Sequence, residues 1–307
     1  MNSATDKMPD GPALRLNFAE RALRFLQSPF YRKTNSIAFR LRRWFPRAPI
    51  PLRLSCGAWW ILRNDILDQP LIHNNFETLE RAFVEGFLQH GMTIIDIGAH
   101  HGLYTLIAAK RVGPQGHVYA FEPSPRERRV LTQHIRLNRI RNVSVLNLAL
   151  GNADIDAVLY LAEGEETGCN SLRPPAVAAG TSSVRVHVTR LDDWLRIERI
   201  ALIDFIKMDV EGGEMDLLNG AELCLKRKPR PVILVEVEDI RTRAWGYPAR
   251  EIIQHLAGKG YRWYWFKEMG SLAELDLTSV AFDGNFVACP EEKTDLLSKL
   301  SGWHVSK

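Results

Sequence analysis

The sequence predicts an α/β fold with a mostly parallel sheet and helices on both of its faces. From residue 93 onward, short apolar runs alternate with segments of helical periodicity, the pattern of strand–helix–strand units. Because both faces of such a sheet are buried, its strands are apolar throughout rather than alternating. The 307 residues, 46% of them hydrophobic, can fill one large core and leave an extension.

Seven strands and four helices are predicted for this fold. Five apolar runs are expected to pair in parallel, and two later runs are expected to close the sheet as an antiparallel pair. The parallel candidates are Thr93–Ile97, His117–Phe121, Val143–Leu148, Leu202–Met208 and Pro231–Val237, and the later pair is Arg262–Phe266 and Asn285–Cys289. The helical periods cover Leu103–Arg111, Pro125–Leu137, Glu214–Leu225 and Ala249–Lys259.

Two regions depart from this rhythm and set the expected domain organisation. Residues 1–75 are predicted to form a basic helical extension before a main domain at residues 76–307. Residues 52–92 resemble a short strand pair followed by a helix, Glu77 to His90. Within the main domain, residues 154–191 are interpreted as an inserted hairpin with a loop at 164–180, close to where a substrate would bind.

The basic charge of the chain is concentrated at its N-terminus. Residues 1–50 hold ten Lys and Arg against three acids, a net charge of +7, so the rest of the chain carries −3 of the total of +4. Apolar and basic residues alternate over residues 12–46, which fits either a helical cap on the main domain or contact with an anionic membrane surface or an acidic partner. The slightly acidic body argues against a nucleic-acid channel.

The sequence favours a cytoplasmic protein. No apolar run reaches the roughly 18 residues of a membrane-spanning helix, and the N-terminus lacks the apolar core of a secretory leader. The four cysteines are far apart and form no C-x-x-C pair, so neither a cysteine metal site nor a disulfide is expected, and a reducing compartment fits best.

A glycine turn follows the first predicted strand. Asp96, Gly98 and Gly102 follow the pattern D-x-G-x-x-x-G directly before a helix. Gly98 permits a tight turn and close backbone approach to a ligand, and the helix N-terminus offers unpaired N–H groups to an anionic group. Glu122 ends the second strand, where a carboxylate can accept hydrogen bonds from both hydroxyls of a ribose.

The spacing of this turn distinguishes two nucleotide cofactors. A dinucleotide site needs G-x-G-x-x-G, in which the second glycine admits the pyrophosphate. His100 occupies that position here, and the remaining spacing is typical of sites for S-adenosylmethionine. An ordinary strand–helix turn is the alternative, but an acid, two glycines and a second acid all in register favour a cofactor site.

A second cluster of polar residues follows the strand Leu202–Met208. Lys207, Asp209, Glu211 and Glu214 surround two glycines at the carboxyl end of a parallel strand, where open α/β sheets bind ligands. Asp209 and Glu211 alternate along a segment predicted to be extended, so their side chains should point the same way. Glu214 is expected to complement the dipole of the helix that it starts.

In these motifs the chain resembles the FkbM family of S-adenosylmethionine-dependent methyltransferases. The resemblance spans roughly residues 90–266 and rests on five blocks in the family's order: Asp96–Tyr104 (DIGAHHGLY), Phe121–Pro123 (FEP), Thr189–Leu195 (TRLDDWL), Ile206–Glu214 (IKMDVEGGE) and Val235–Val237 (VEV). His100 stands where the family usually has Asn. The resemblance implies a class I Rossmann-like methyltransferase fold, with the cofactor bound by Asp96, Gly98, Ala99, His100, Gly102, Tyr104 and Glu122.

The resemblance also implies O-methylation of a hydroxyl on a sugar, a glycan or a natural product. A hydroxyl is a weak nucleophile, so Asp209 or Glu211 is the expected base, and Lys207 is expected to orient the acceptor or the acid pair. The structural alternative is an ion pair of Lys207 with Asp209 that supports the strand end. No metal is expected, although Asp192 or Asp193 could join the acid pair around Mg²⁺ or another hard cation.

Three other functions are compatible with the same motifs. They are a noncatalytic scaffold that binds S-adenosylmethionine, an RNA methyltransferase that uses the basic arm, and an N-methyltransferase. The intact acidic and basic residues of both motifs count against the scaffold. The lack of an aromatic and basic recognition pattern in the core counts against RNA.

Overall fold

The strands of the molecule form one large central sheet and two small ones. The computed structural model describes residues 37–38, 40–42, 44–45, 48–63, 67–164, 166–175, 177, 180–267, 271–278, 282–300 and 304–306. In chain order the strands are β1 (Ile50–Arg53), β2 (Trp59–Leu62), β3 (Thr93–Ile97), β4 (His117–Phe121), β5 (Val143–Leu146), β6 (Leu148–Leu150), β7 (Ile155–Ala162), β8 (Thr181–Thr189), β9 (Phe205–Met208), β10 (Val232–Glu236), β11 (Tyr261–Lys267), β12 (Ser271–Glu274), β13 (Asn285–Pro290) and β14 (His304–Ser306).

The central sheet is mostly parallel, as predicted. Its order is β14-β12-β11-β13-β10-β9-β3-β4-β5. The last five strands in this order, from β10 to β5, are all parallel to one another. Strands β11 and β13 pair antiparallel beside β10, which confirms the predicted closing pair. The predicted number of strands is wrong, because nine rather than seven are found among the described residues. The two additional strands, β12 and β14, are short and extend the sheet beyond β11, whose outer edge would otherwise be unpaired.

Ten α-helices cover the sheet and its connections in the described part of the chain. They are α1 (Asp68–His73), α2 (Thr78–Phe87), α3 (Leu103–Val112), α4 (Pro125–Leu137), α5 (Leu191–Ile197), α6 (Glu214–Gly220), α7 (Glu222–Lys226), α8 (Asp239–Thr242), α9 (Arg250–Ala257) and α10 (Thr294–Ser298). The helix predicted over Glu214–Leu225 is divided in two at Ala221. The carboxylate of Asp192 accepts hydrogen bonds from the backbone N–H groups of Leu223 and Cys224 and so caps the new helix start.

Two apolar cores lie on opposite faces of the sheet. Helices α2 and α3 and the strand pair β1–β2 pack on one face, with Trp60, Phe83 and Phe205 fully buried there. Helices α5, α6, α7 and α9 pack on the other face around side chains such as Trp194 and Trp263. The predicted helical cover on both faces is confirmed.

The predicted strand Val143–Leu148 belongs to two sheets. Its first part is β5, at the edge of the central sheet, and its last residue begins β6 in a separate three-stranded sheet of order β6-β8-β7. Strands β7 and β8 form the predicted hairpin, paired from Ile155 with Val188 to Ala162 with Thr181. The loop folds back on this hairpin through an antiparallel bridge between Tyr160 and Ser171, which brings it towards the carboxyl ends of the parallel strands.

The N-terminal region is described only from residue 37, so most of the predicted basic helical arm lies outside the described residues. The predicted strand pair is β1–β2, and the predicted helix is α2, shorter than expected at both ends. Residues on both sides of the predicted boundary at 75 contribute to one core, and that boundary stays a prediction. No helix in the described ranges is long and apolar enough to cross a membrane.

Candidate active site

The glycine turn after β3 packs against the end of β9. Gly98 has φ +74°, and a Cβ atom at this position would lie 1.8 Å from the carbonyl oxygen of Asp209. The N–H groups of Gly98 and Ala99 both donate to the carbonyl of Phe121 at the end of β4, at 3.1 and 3.0 Å. The missing side chain therefore lets neighbouring strand ends close together, whereas the sequence suggested close approach to a ligand.

Gly102 also allows close packing, in this case between two helices. It has φ +91° at the start of α3, and a Cβ atom there would lie 2.3 Å from Leu131 on α4. Gly102 is the single predicted cofactor residue that does not line the cavity described below. The D-x-G-x-x-x-G pattern thus combines residues that face the cavity with glycines that let strands and helices touch.

Asp96 and Glu122 are buried carboxylates on neighbouring strands. Asp96 accepts a hydrogen bond from the hydroxyl of Thr105 at 2.5 Å. Glu122 accepts two backbone N–H groups, from His100 at 2.7 Å and from Ser124 at 2.9 Å, one on each carboxylate oxygen. Burial raises the pKa of Asp96 above its usual range and that of Glu122 to about 8. Each oxygen of Glu122 retains a second lone pair that can accept a hydrogen bond from a ligand.

His100 shapes the turn with its backbone as well as its ring. Its φ of +50° is left-handed, a region in which Asn and His are enriched over other side chains. This explains how His can replace the Asn of the family pattern. The ring stacks on His101 at 3.8 Å between centroids, and its Nε2 lies 3.1 Å from the hydroxyl of Thr167 in the hairpin loop. Burial, together with His101, lowers the pKa of His100 well below its usual range, so the ring is neutral at pH 7.

Lys207 and Asp209 form a close ion pair at the end of β9. The Nζ of Lys207 lies 2.5 Å from Oδ2 of Asp209, and the lysine side chain is almost wholly buried. Burial alone would lower the pKa of Lys207, but the carboxylates of Asp209, Glu77 and Asp96 raise it well above its usual range. The ammonium also lies 5.3 Å from the ring centre of Tyr104, within cation–π distance. Lys207 is therefore a fixed positive charge among acids.

Glu77 completes this network, and no sequence motif pointed to it. Its Oε2 accepts the hydroxyl of Tyr104 at 2.6 Å, and its Oε1 accepts the side-chain N–H of Asn285 at 3.2 Å. Glu77 itself adopts a left-handed φ of +42° directly before α2. The contacts join three distant parts of the chain around Lys207, and no spacing rule connects them.

Three carboxylates meet beyond the ends of β9 and β10. Oxygen atoms of Asp209, Glu211 and Glu236 all lie within 4.8 Å of one another. Asp209 and Glu211 converge, but the segment is not extended as predicted, because Glu211 has a left-handed φ of +55°. The carbonyl of Glu211 accepts hydrogen bonds from Ser171 Oγ at 2.9 Å and Trp245 Nε1 at 3.2 Å, which hold this turn in place.

Arg241 is a second site residue that the sequence did not reveal. Its Nε lies 3.0 Å from Oε2 of Glu211 and 3.3 Å from Oε2 of Glu238. Burial and the neighbouring Asp209 nevertheless raise the pKa of Glu211 to about 8, and burial with the same neighbours raises the pKa of Glu236 well above its usual range. The acids outnumber their cationic partners here, so Glu211 and Glu236 hold protons more tightly than exposed carboxylates do.

Several other candidates support the backbone. Glu214 accepts the N–H groups of Val210 and Gly212 and braces the turn before α6. Asn170 of the hairpin loop accepts a hydrogen bond from the N–H of Ala162 at the end of β7. Asp192 caps α7 and Asp193 pairs with Arg190 and Arg196, so neither joins the acid cluster, as the metal alternative required of one of them.

A single cavity of about 520 Å³ collects nine of the ten predicted site residues. The nine are Asp96, Gly98, Ala99, His100, Tyr104, Glu122, Lys207, Asp209 and Glu211. The cavity extends along the carboxyl ends of β3, β4, β9 and β10, with apolar walls from Phe121 and Leu150 and with the hairpin loop at its mouth. Its size is typical of small-molecule sites, and its position is where open α/β sheets bind ligands.

The residues of this cavity fit an adenosyl cofactor with an aminoacyl sulfonium. Glu122 has acceptor capacity left for vicinal hydroxyls, and the apolar wall beside it can hold a planar base. The surplus of carboxylates around Lys207 suits a ligand that carries positive charge. Neither feature suits a pyrophosphate, whose negative charges would lie beside these carboxylates.

Comparisons with known proteins agree with this geometry. The family described as Methyltransferase FkbM domain matches residues 96–263. Methyltransferase 1 of Beauveria bassiana is 30% identical over 145 residues, which cover 42% of this chain and 58% of that protein. Methyltransferase sdnD of Sordaria araneosa is 31% identical over 156 residues, with shares of 42% and 60%. The chain therefore spans less than two thirds of the length of these relatives.

Among solved structures, the O-methyltransferase from Bacillus cereus in complex with SAH is similar with a TM-score of 0.40 and 17% identity, covering 69% of this chain and 79% of that one. The family match includes both motifs and extends over more than half of the chain. The protein therefore belongs to the FkbM family of S-adenosylmethionine-dependent methyltransferases.

Proposed function

We propose that this protein methylates an oxygen of a hydroxylated acceptor, namely a sugar, a glycan or a natural product. The observation that carries the proposal is the cluster of three carboxylates in the same cavity as Glu122. A hydroxyl must lose its proton as it is methylated, and a base works best when its pKa is close to the working pH. Burial raises the pKa of Glu211 to about 8, which supports a proton acceptor from this cluster.

The glycine turn and Glu122 are proposed to hold the cofactor, which supplies an electrophilic methyl group when bound. Glu122 would accept the ribose hydroxyls, and the backbone of Ala99 and His100 would line the cofactor beside it. Asp96 and Tyr104 would face its charged aminoacyl end, with Gly98 and Gly102 keeping the surrounding elements close. Fixing the acceptor oxygen in line with the methyl group removes much of the entropic part of the barrier.

Lys207 is proposed to act as a positioning residue. Its ion pair with Asp209 fixes the direction of that carboxylate, and its buried stem cannot move without leaving a charge unpaired. Asp209 and Glu211 would then set the charge around the acceptor hydroxyl. The ion pair of Lys207 with Asp209, which was the structural alternative in the sequence analysis, can therefore also orient the Asp209 carboxylate.

The hairpin loop is proposed to form the acceptor side of the cavity. Cys169, Asn170, Ser171 and Arg173 line it together with Trp245, and the guanidinium of Arg173 lies 5.4 Å from the Trp245 ring centre. This wall offers hydrogen-bond donors and acceptors beside an aromatic surface, which suits a polyhydroxylated molecule. Loops of this kind carry acceptor specificity in many enzymes.

Calorimetric titration with S-adenosylmethionine, S-adenosylhomocysteine and NADH tests the cofactor site. We expect binding of the first two, no binding of NADH, and a loss of about 10–100-fold in affinity in Glu122→Ala, the range for losing two hydrogen bonds to the ribose hydroxyls. The second step is transfer of labelled methyl from S-adenosylmethionine to panels of hydroxylated and of amine compounds. Label on amines alone would overturn the proposed oxygen acceptor, and a folded protein that binds no adenosyl ligand would overturn the activity.

The N-terminal region is proposed to make peripheral contact with an anionic membrane surface. Ile37, Leu41, Trp44 and Phe45 are between 40% and 79% exposed and recur at helical spacing, within the segment 1–50 of net charge +7. Co-sedimentation with phosphatidylserine vesicles, but not with phosphatidylcholine vesicles, is expected, and equal recovery with both would exclude it. The cytoplasmic location predicted from the sequence stays a prediction.

A further inference from the structure

The three carboxylates of the cluster differ in how they are paired. Asp209 is bound to Lys207 at 2.5 Å, and Glu211 is bound to Arg241 at 3.0 Å. The carboxylate of Glu236 makes no hydrogen bond or ion pair to any described residue, although its oxygen lies within 4.8 Å of the other two. Among the described residues, Glu236 is therefore the member of the cluster without a cationic partner, and its lone pairs are available to a ligand.

The sheet register places Glu236 opposite the cofactor turn. Ile97, Met208 and Val235 are aligned across three parallel strands, so the residues that follow them, Gly98, Asp209 and Glu236, form the next row. Strands lie about 4.8 Å apart, so Glu236 lies about 10 Å from the glycine turn, across Asp209. All three residues line the same cavity. Glu236 thus borders the cavity opposite the part proposed to hold the cofactor.

A cationic partner distinguishes Asp209 and Glu211 from Glu236. A carboxylate in contact with an ammonium or guanidinium group is stabilised in its charged form and is a weaker base. Glu236 has no such contact, and burial, with Asp209 and Glu211 beside it, raises its pKa well above the usual range. Its neighbours are held by Lys207 and Arg241 and cannot turn away.

We propose that Glu236, rather than Asp209 or Glu211, is the general base that removes the proton from the acceptor hydroxyl. This inference rests on the proposed function. The acceptor O–H bond breaks as its proton moves to a carboxylate oxygen of Glu236, the oxygen forms a bond to the methyl carbon, and the electron pair of the broken C–S bond stays on sulfur. Glu236 then returns the proton to water.

Binding of sinefungin relative to S-adenosylhomocysteine tests this assignment without any acceptor. Sinefungin carries an amine where the cofactor carries its sulfonium methyl, and S-adenosylhomocysteine carries neither. A carboxylate that faces the methyl group pairs with this amine when it is protonated. We expect calorimetry at pH 8 to show that Glu236→Gln weakens sinefungin about 10–100-fold and changes S-adenosylhomocysteine affinity less than about twofold.

Glu238→Gln is the matched control. Glu238 is two residues further along the chain and pairs with Arg241, but it does not line the cavity. We expect this variant to bind both ligands as the wild type does. Glu236→Asp, which keeps the charge on a shorter side chain, is expected to restore part of the sinefungin affinity, and this separates a charge effect from a folding defect.

The possible results lead to different conclusions. Selective loss of sinefungin in Glu236→Gln supports the assignment. Equal loss of both ligands, no loss, or selective loss in Glu211→Gln instead would overturn it and leave the proposed methyl transfer intact. A folded wild-type protein that binds neither ligand would overturn the proposed function and this inference together.

Discussion

The contact between Gly98 and Asp209 allows a sharp test of how the site is built. In Gly98→Ala the new Cβ would lie 1.8 Å from the Asp209 carbonyl oxygen, whereas real Cβ atoms essentially never approach closer than 3.0 Å. Because the opposing atom belongs to the backbone, the ends of β3 and β9 must separate by more than an ångström. This movement strains the hydrogen bond from Asp209 N–H to the Ile97 carbonyl, which is already 3.2 Å long.

The expected cost in free energy of unfolding has three parts. Placing Ala in the left-handed region costs about 1–2 kcal/mol. Forced displacement of packed atoms adds about 1–3 kcal/mol, and the weakened backbone hydrogen bond about 1 kcal/mol. Gly246→Ala is the matched control, since Gly246 has φ +85° but no heavy atom within 4 Å of its added Cβ, so it should cost only the first part.

Urea unfolding, monitored by circular dichroism, measures the difference in free energy of unfolding between the two variants. Calorimetry with S-adenosylhomocysteine measures the effect of Gly98→Ala on ligand binding. Gly98→Ala is expected to be at least about 2 kcal/mol less stable than Gly246→Ala and to bind the ligand at least about tenfold more weakly, because the turn beside Glu122 moves. Equal unfolding free energies for the two variants, with normal binding in Gly98→Ala, would refute the reasoning.

Three further predictions concern charges. Lys207→Met or Asp209→Asn alone should each destabilise the protein by about 3–5 kcal/mol in urea unfolding, because each single change removes one partner of a close ion pair. The double variant should lose less than the sum, and additive losses would contradict the coupling. Burial raises the pKa of Glu122 from 4.5 to about 8, so wild-type stability should fall relative to Glu122→Gln as pH rises from 4.5 through 8, and parallel pH profiles would argue against it. Arg230 lowers the pKa of Glu292 from 4.5 to about 2, so the stability that this pair adds should be present above pH 4.5 and vanish as pH falls through 2; a Glu292→Gln deficit that persists at pH 2 would rule this out.

Local patterns predicted most of the framework of this site. Strands β3 and β4 and helix α4 have the predicted bounds, because apolar runs and helical periods depend on neighbouring residues alone. Because the carboxyl ends of parallel strands share one edge of a sheet, Asp96, Glu122 and Asp209 could be expected to meet. The structure does place them along one cavity.

Errors in the prediction arose where the chain changes partner. Leu148 continues an apolar run, yet it pairs in a different sheet from Val145. Glu214–Leu225 has one helical period, yet Asp192 caps a second helix start within it. In both cases a tertiary contact outweighs the local preference, which contributes only a few tenths of a kcal/mol per residue.

The sequence by itself determined the family, the positions of the parallel strands along the chain and the acids at the ends of those strands. Only the tertiary structure decided how those acids are paired. Glu77 and Asn285 meet across 208 positions of sequence, and Arg241 reaches Glu211 from beyond the next strand. Such pairs have no characteristic spacing, because folding brings them together through the packing of whole elements. The pairing that leaves Glu236 open to the cavity is therefore a property of the fold.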